Sequence, residues 1–549
     1  MRDNDEGQSL CLPDLLQFSP QLRIDEESTD LAIVMAFSGG TAGALFADAL
    51  EKATIPQSSW QPESYAADLF LKKFVTTSLQ ISLGGAEPVM VSKHLVRIVG
   101  APPSDVSSVS FRREIVAELI SSPPMRRSLE NVYRKLSGFR AQLEGTSSTG
   151  IWDANRRQLD ILALLKDLVH AMQEGFSEAR SGLGRLHVFA RKIRDGEAFC
   201  ALTDLLSYDD RLATVSFKMN VGADGRVRQL SLETLEENET NQFVSSPLRR
   251  WLAKIEMFLR GYRMSDGEVM ARLLDAVFEG VRQELPPFIQ LLGDLEFYLG
   301  ALSFHDRATQ AGLNLCVPEL TSSDEVRVLR GLFNPLLLGH GVTPVPCDIV
   351  TDKHAATVLI TGPNSGGKTR LLQSLGLAQL LAQSGLFVPA REATMALAPG
   401  LVVSLIQETH ADQTEGRLGM ELMRIRRLFE HLPPGALVIL DELCSGTNPS
   451  EGEEIFELVI QMLTRLKPQA FITTHFLGFA GRLEREQKIK DLRFLQVALG
   501  ADHEPTYQFA KGVATTSLAS QAAARLGVTG EQLLSLVEKN IARSQGLEG

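Results

Sequence analysis

The run from Ile360 to Arg370, Ile-Thr-Gly-Pro-Asn-Ser-Gly-Gly-Lys-Thr-Arg, constrains the chain more than any other stretch. Gly362, Gly367, Lys368 and Thr369 fit the spacing G-x-x-x-x-G-K-[ST]. An apolar strand candidate (Thr357 to Ile360) precedes them and a helical stretch (Leu371 to Gln383) follows, which is the context a phosphate-binding loop requires. A triphosphate needs close backbone N–H donors, a cation for its outer oxygens and a hydroxyl for magnesium. Gly366 and Gly367, then Lys368, then Thr369 supply these in order. The cofactors this predicts are ATP and Mg2+.

Two later elements extend the chemistry. Ala436 to Leu440 is an apolar strand candidate that ends in Asp441-Glu442. Such a strand delivers one carboxylate to the magnesium shell, and the next can polarise the attacking water. Phe471-Ile-Thr-Thr-His475 is a strand ending in a histidine, which at a sheet edge either serves the structure alone or reaches the γ-phosphate or the lytic water. With Val358 to Thr361, Leu401 to Ile406, Leu437 to Leu440 and Phe471 to Thr474 as strands separated by helical runs, the expected fold is an α/β ATPase domain. It has a mainly parallel sheet with helices on both faces.

Ahead of that domain the chain reads as largely helical. Leu129, Val132, Leu136, Phe139 and Leu143, then Leu159, Leu162, Leu165, Val169 and Met172, recur at three- and four-residue steps from about Val109 to Gln310. One hairpin interrupts them: Val215 to Val221 and Val227 to Leu232 alternate about Gly222-Ala-Asp-Gly-Arg226. Earlier still, Ala101-Pro-Pro-Ser marks a boundary with Ser104 and Asp105 as caps, and Glu63 to Thr76 reads as a helix. Leu320 to His354, rich in Pro, Gly and Ser, reads as a connector. Leu31 to Ala47 is uncharged but broken by Ser38, Gly39, Gly40 and Thr41, so it predicts a buried helix or strand-turn-helix rather than a membrane span.

A net charge of −12 over 549 residues removes any global attraction for nucleic acid, so a DNA contact would need a local basic surface. Arg249, Arg250, Lys254, Arg260 and Arg263 are the candidates, interleaved with Glu256 and Glu268 as on an ordinary solvated helix face. The five cysteines contain no C-x-x-C pair, which argues against a zinc site or disulfide framework and for a reducing cytoplasm. The acidic N-terminus is not a secretory signal.

Phosphate loop, Asp441-Glu442 and His475, in this order, resemble an ATPase of the ABC type. Thr361 to Thr369, Gly385-Leu-Phe-Val-Pro-Ala390, Asp441-Glu-Leu-Cys-Ser-Gly-Thr447 with Glu451-Gly452, and Thr473-Thr-His475 are together similar to the DNA mismatch repair MutS family. Weaker likeness extends to Phe333-Asn-Pro-Leu-Leu337, where Asn334 replaces the usual His, to Val345-Pro-Cys-Asp-Ile349, and to Phe111 to Leu119, like the start of a helical core or lever. It also reaches Tyr507-Gln-Phe and a C-terminal helix pair, Leu518 to Leu526 and Glu531 to Ile541, with Thr529 as cap. The resemblance implies a homodimer with a composite ATP site. In it Gly362, Pro363, Asn364, Ser365, Gly366, Gly367, Lys368 and Thr369 hold phosphates, Thr369 and Asp441 organise magnesium, Glu442 polarises water, and Asn364 and His475 approach the γ-phosphate. Asn364 rests on the resemblance alone.

The sequence departs from the family in two places. Glu415-Gly-Arg-Leu-Gly-Met-Glu421, the counterpart of the signature segment, lacks the serine that reaches the partner's γ-phosphate, which implies slow turnover. No Phe-x-Glu wedge or recognisable nuclease domain is visible. The expected division is a 1–104 module of uncertain fold, a 105–330 helical core and lever, and a 331–549 ATPase domain with the helix pair. The expected function is an ATP-driven lever acting on DNA without mismatch specificity and without a membrane. The rival is an ATP-gated protein-interaction module that never touches DNA.

Overall fold

The computed structural model describes residues 12–39, 43–84, 93–145, 154–209, 214–221, 227–236, 266–363, 365–405, 417–444, 448–500, 504–515 and 528–544. The chain divides into two compact units. One comprises Met1–Leu15, Ser19–Thr54 and Ser121–Leu295, and the other Leu16–Phe18, Ile55–Ile120 and Glu296–Gly549. Residues 55–104 thus belong to the same unit as the phosphate loop, so the units cut across the boundaries drawn at 104 and 330.

Helices come first in chain order: α1 (Glu26–Gly39), α2 (Leu45–Lys52), α3 (Leu71–Ser78), α4 (Lys93–Val99), α5 (Val106–Ser121), α6 (Pro123–Leu143), α7 (Ala154–Gly175), α8 (Gly184–Arg194) and α9 (Glu197–Asp209). Strands β1 (Thr214–Val221) and β2 (Val227–Glu236) form the expected hairpin, antiparallel with Val221 opposite Val227, while its turn lies outside the described residues. Helices α10 (Asp266–Val281) and α11 (Pro286–Gln310) follow.

In the first unit the periodic stripes are core: Leu129, Val132, Leu136, Phe139 and Leu143 of α6 and Leu159, Leu162, Leu165, Val169 and Met172 of α7 are all buried. The interior also holds ions. Arg23 bridges Asp14 (3.3 Å) and Asp294 (2.5 Å), and Asp294 additionally accepts from the Leu15 N–H at 3.0 Å. Burial, partly offset by Arg23 and reinforced by Asp14, pushes the Asp294 carboxyl up to about 6. Within Leu31 to Ala47 the described residues are the end of α1, with Ile33 and Phe37 buried, and the start of α2, with Leu45 and Phe46 buried; residues 40–42 lie outside the described residues. Among the described residues no helix is long and apolar enough to cross a membrane.

The second unit is built on two sheets. Its elements after α11 are β3 (Glu319–Thr321), β4 (Arg327–Leu332), α12 (Pro335–Gly339), β5 (Cys347–Thr351), β6 (Thr357–Thr361), α13 (Lys368–Gln383), β7 (Glu392–Ala396) and β8 (Leu401–Ser404). Then come α14 (Arg417–His431), β9 (Leu437–Leu440), α15 (Pro449–Leu466), β10 (Gln469–Thr473), α16 (Leu477–Glu486), β11 (Leu492–Leu499), β12 (Pro505–Lys511) and α17 (Gly530–Ser544). The main sheet runs β12-β11-β6-β10-β9-β8, parallel throughout except for the antiparallel edge strand β12. Strands β6, β9 and β10 are buried along their whole length, which is why each reads as an unbroken apolar run.

Both faces of that sheet are covered. Leu359, Val438, Leu440 and Ile472 share one core with Leu428 of α14, Phe456, Val459, Ile460 and Leu463 of α15, and Phe479 and Leu483 of α16. On the other face α13 lies close enough that a methyl on Gly376 would meet Ile439 Cδ1 at 3.3 Å and Leu69 Cδ2 at 2.8 Å. Helix α13 is buried from Leu371 to Gln383, Gln373, Gln379 and Gln383 included. It ends in a Schellman motif, with Gly385 (φ 76°) donating to the Ala382 carbonyl at 3.0 Å and Leu386 to the Leu381 carbonyl at 2.9 Å.

Two expectations are corrected here. The helix predicted at Glu63 to Thr76 is a single 3-10 turn (Pro62–Ser64), a turn through Phe70 at φ 51°, and only then α3. Buried Tyr65 and Leu69 fix that turn, and Ser64 Oγ donates to the Leu401 carbonyl (2.7 Å) of edge strand β8. Leu320 to His354 is no connector: it supplies strands of the second sheet, ordered β3-β7-β4-β5. The alternation there is masked because β4 buries Arg327, whose guanidinium lies 4.9 Å from the Phe471 ring. The cap expected at Asp105 is present, its Oδ1 accepting from Ser108 N–H at 2.6 Å.

Candidate functional site

At the C-terminal edge of the main sheet, β6 runs into the glycine-rich loop between its neighbours β11 and β10. This is where ligands bind in open parallel α/β sheets. Glycine is required by space as much as by conformation. Gly362 sits at φ 137° with Val497 Cγ2 2.6 Å from where a Cβ would lie, and Gly366 has the same atom at 2.8 Å. Gly367, at φ 84°, is the residue from which α13 starts. Its neighbour Lys368 begins the helix, so the free N–H groups of the first turn and the positive end of the helix dipole face the loop.

Lys368 is 3% exposed and donates its Nζ to the carbonyls of Gly362 (2.9 Å) and Pro363 (3.1 Å). Burial lowers its tendency to hold a proton, against the opposing pull of Glu442 and Asp441. An anion in the loop would relieve that penalty. Ser365 is exposed beside it, Pro363 is buried, and Asn364 lies outside the described residues.

Strand β9 ends at Leu440, and the next residue, Asp441, meets the loop. Thr369 Oγ1 donates to Asp441 Oδ2 at 2.6 Å across 72 positions of sequence. The other carboxylate oxygen, Oδ1, accepts from the Thr473 hydroxyl of β10 at 2.5 Å, and that hydroxyl accepts the Glu442 N–H at 2.8 Å. Glu442 turns out of the strand at φ 48°, a left-handed conformation that costs a non-glycine residue about 1–2 kcal/mol. Exposed Thr369 and half-buried Asp441 offer an all-oxygen pair at an open edge. This fits Mg2+, which takes one or two protein oxygens and leaves its other positions to phosphate and water. Among the described residues no cluster of three or more His, Cys, Asp or Glu could hold a metal by itself.

His475 is exposed just past β10, its ring 4.2 Å from that of Phe476. The Thr474 N–H donates to the Ile360 carbonyl (3.0 Å), tying the strand that carries the histidine to the strand that carries the loop. Phosphate loop, Asp441, Glu442 and His475 thus meet at one sheet edge.

Two residues stand in stretches quoted from the sequence without a part in the site being read for them. Tyr507 of β12, at φ 59° and 47% exposed, sets its Cδ1 3.1 Å from the position of a Cβ on Gly367, placing an aromatic ring beside the loop. Thr473 is the second. The motifs Tyr507-Gln-Phe and Thr473-Thr-His475 do not show these contacts, because each residue reaches the site through strand pairing. Asn334, in place of a histidine, caps α12 by accepting from Leu336 N–H (2.9 Å) and donates to the Arg370 carbonyl (3.1 Å) of the helix that follows the loop.

Other candidates lie elsewhere. Glu415 and Gly416 of the signature counterpart fall outside the described residues, and α14 begins at Arg417. Arg249, Arg250, Lys254, Arg260 and Arg263 also fall outside them, as does Leu518 to Leu526. The second helix of that pair is α17, which Thr529 opens with a capping box, its Oγ1 accepting from Gln532 N–H while Thr529 N–H donates to Gln532 Oε1.

Residues 358–542 match the family model described as MutS domain V. The chain is similar to curated proteins named Endonuclease MutS2. It is 30% identical over 301 residues to that of Thermus thermophilus, covering 54% of this chain and 38% of the relative. To that of Fusobacterium nucleatum it is 29% identical over 287 residues (52% and 36%), and to that of Pelotomaculum thermopropionicum 30% over 280 residues (50% and 34%). The match spans little more than a third of the length of these relatives.

Proposed function

We propose that this chain, a divergent member of the MutS family, is a Mg2+-dependent ATPase whose nucleotide site is the loop Gly362 to Thr369. The observation that carries the reading is the 2.6 Å contact between Thr369 and Asp441, which joins the phosphate-loop helix to the strand bearing the acidic pair. Loop amides and Lys368 hold the phosphates, Lys368 exchanging its bonds to the Gly362 and Pro363 carbonyls for phosphate oxygens. Thr369 and Asp441 hold Mg2+, which when bound offsets negative charge on the β- and γ-oxygens. Glu442 orients and polarises the attacking water, Asn364 and His475 approach the γ-phosphate, and Tyr507 offers its ring to the base.

In this reading two copies close on ATP as a homodimer and move the helical segment as a lever on duplex or branched DNA in the cytoplasm, without mismatch preference. The name of the curated relatives places them among enzymes acting on nucleic acid, and this supports a DNA partner. The net charge of −12 supports a second reading, an ATP-gated module for a protein partner. Binding measured against salt separates them, since phosphate contacts give a steep slope and protein contacts do not.

The site itself is tested by a pair of substitutions. Lys368→Ala removes a ground-state phosphate contact and abolishes nucleotide binding. Glu442→Gln leaves binding intact and lowers turnover by about a hundredfold or more. Unchanged steady-state turnover in Glu442→Gln would remove that residue from its role.

A further inference from the structure

We infer that Thr473 is a positioning residue of the ATPase site, the group that sets Asp441 toward the metal and Glu442 toward the water; this rests on the function proposed above. Its hydroxyl is the only atom of the described residues that bonds both acidic residues. It donates to Asp441 Oδ1 at 2.5 Å and accepts from the Glu442 N–H at 2.8 Å. Thr473 is fully buried at the end of β10, so no solvent competes for these bonds.

The consequences follow from the hydrogen-bonding inventory of a hydroxyl. It has one proton to give, and the Asp441 carboxylate takes it. The carboxylate is then held at both ends: Oδ1 by Thr473 and Oδ2 by Thr369. Were a metal bound, Thr369 would offer it an oxygen lone pair while its proton stayed on Oδ2, and the bond from Thr473 to Oδ1 would fix the carboxylate plane from its other end. The remaining lone pairs of the Thr473 oxygen take the Glu442 N–H, at the residue whose backbone is held at φ 48°. A left-handed turn at a glutamate persists only if its surroundings hold it, and this bond is the one described for its N–H.

Thr473 also belongs to the strand that carries His475. Its strand neighbour is Ile360 of β6, and the next residue, Thr474, donates to the Ile360 carbonyl. A shift of β10 relative to β9 would therefore break the bonds from Thr473 to Asp441 and Glu442 as it moved the histidine. One hydroxyl thus links the acidic pair to the strand bearing His475.

Thr473→Val keeps the branched shape and removes the hydroxyl, whereas Thr473→Ser keeps the hydroxyl and removes the methyl. We expect the valine variant to lose turnover roughly ten- to a hundredfold, the range for deleting a hydrogen bond to a charged group. Its nucleotide affinity in EDTA should stay within about twofold of the unaltered chain, while the Mg2+ concentration that half-saturates tight nucleotide binding rises at least about fivefold. In the nucleotide-free protein, exchange at the Glu442 amide should accelerate in the valine variant and not in the serine variant. The serine variant should recover most of the turnover and of the metal response.

Valine with unaltered turnover and metal dependence would overturn the inference while leaving the ATPase reading intact. So would serine as impaired as valine, since packing of the methyl would then be the cause. Absence of Mg2+-dependent turnover in the unaltered chain, or equal turnover in Glu442→Gln, would overturn the reading of the site and this inference with it.

Discussion

Gly312 and Gly385 provide a matched pair for measuring how tightly the phosphate-loop helix is seated. Both occupy the C′ position of a Schellman motif, at φ 74° after α11 and φ 76° after α13. An alanine at either must adopt a left-handed conformation, at about 1–2 kcal/mol. At Gly312 nothing lies within 4 Å of the added methyl, so that strain is the whole effect. At Gly385 the methyl would lie 2.6 Å from Arg112 Cβ and 2.9 Å from the Val109 carbonyl oxygen, one of them backbone, so α5 must move. Such overpacking adds about 1–3 kcal/mol. The expected losses are therefore about 1–2 kcal/mol for Gly312→Ala and about 2–5 kcal/mol for Gly385→Ala. Both glycines lie in the unit that holds Trp60, whose indole donates to the Ala398 carbonyl at 2.9 Å. Urea unfolding followed by Trp60 fluorescence, with Trp152 and Trp251 replaced by Phe, reads that unit. The Gly385 variant should unfold at a midpoint roughly half to one molar below the Gly312 variant. Equal midpoints would refute the claim that α5 is packed hard against the end of the loop helix.

In the Glu442→Gln background, ATP should shift the sedimentation profile toward dimer, because the nucleotide binds the closed state preferentially; an unchanged profile leaves a constitutive dimer or a monomer. Removing the residues after Gly527, which takes away α17 and its exposed Leu533, Leu534, Leu536, Val537 and Ile541, decides between those two. If DNA binds, a G·T heteroduplex and its homoduplex should compete within tenfold, about 1.4 kcal/mol, and both should weaken as salt rises; a larger preference would reveal a mismatch reader. Asp294 gives a pH prediction: burial raises its folded value to about 6, above the unfolded value near ~3.9. The fold thus favours the protonated acid, and stability should fall as pH rises from about 4 through 6. Asp294→Asn should flatten that part of the urea-midpoint profile, and a variant still losing stability across the window would assign the effect elsewhere.

Which parts of this molecule were legible in its sequence follows from how each residue is buried. Strands β6, β9 and β10 are enclosed on both faces, so their apolar runs announce themselves and their ends deliver the motifs: Leu437 to Leu440 is β9 to the residue, and β6 and β10 fall within two positions of their expected limits. The stripes of α6 and α7 were equally visible because one face of each helix is apolar. Pattern fails where a polar residue is buried by a partner distant in sequence. Arg327 inside β4 destroys the alternation that would have revealed the second sheet, and what tolerates it is Gln469, 142 positions away, with the Phe471 ring. Asp294 would be expected on the solvent face of α11, and Arg23, 271 positions earlier, together with the Leu15 N–H, makes its burial possible. Thr473 belongs to the same class. In a strand a threonine reads as an ordinary β-branched residue, and its hydroxyl acquires meaning only when parallel pairing of Ile472 with Leu440 brings it beside Asp441 and Glu442. Motifs locate the groups that touch a ligand, since those must be spaced along one loop or strand end. The groups that hold them in place are chosen by the sheet register, and register becomes visible only once the strands are paired.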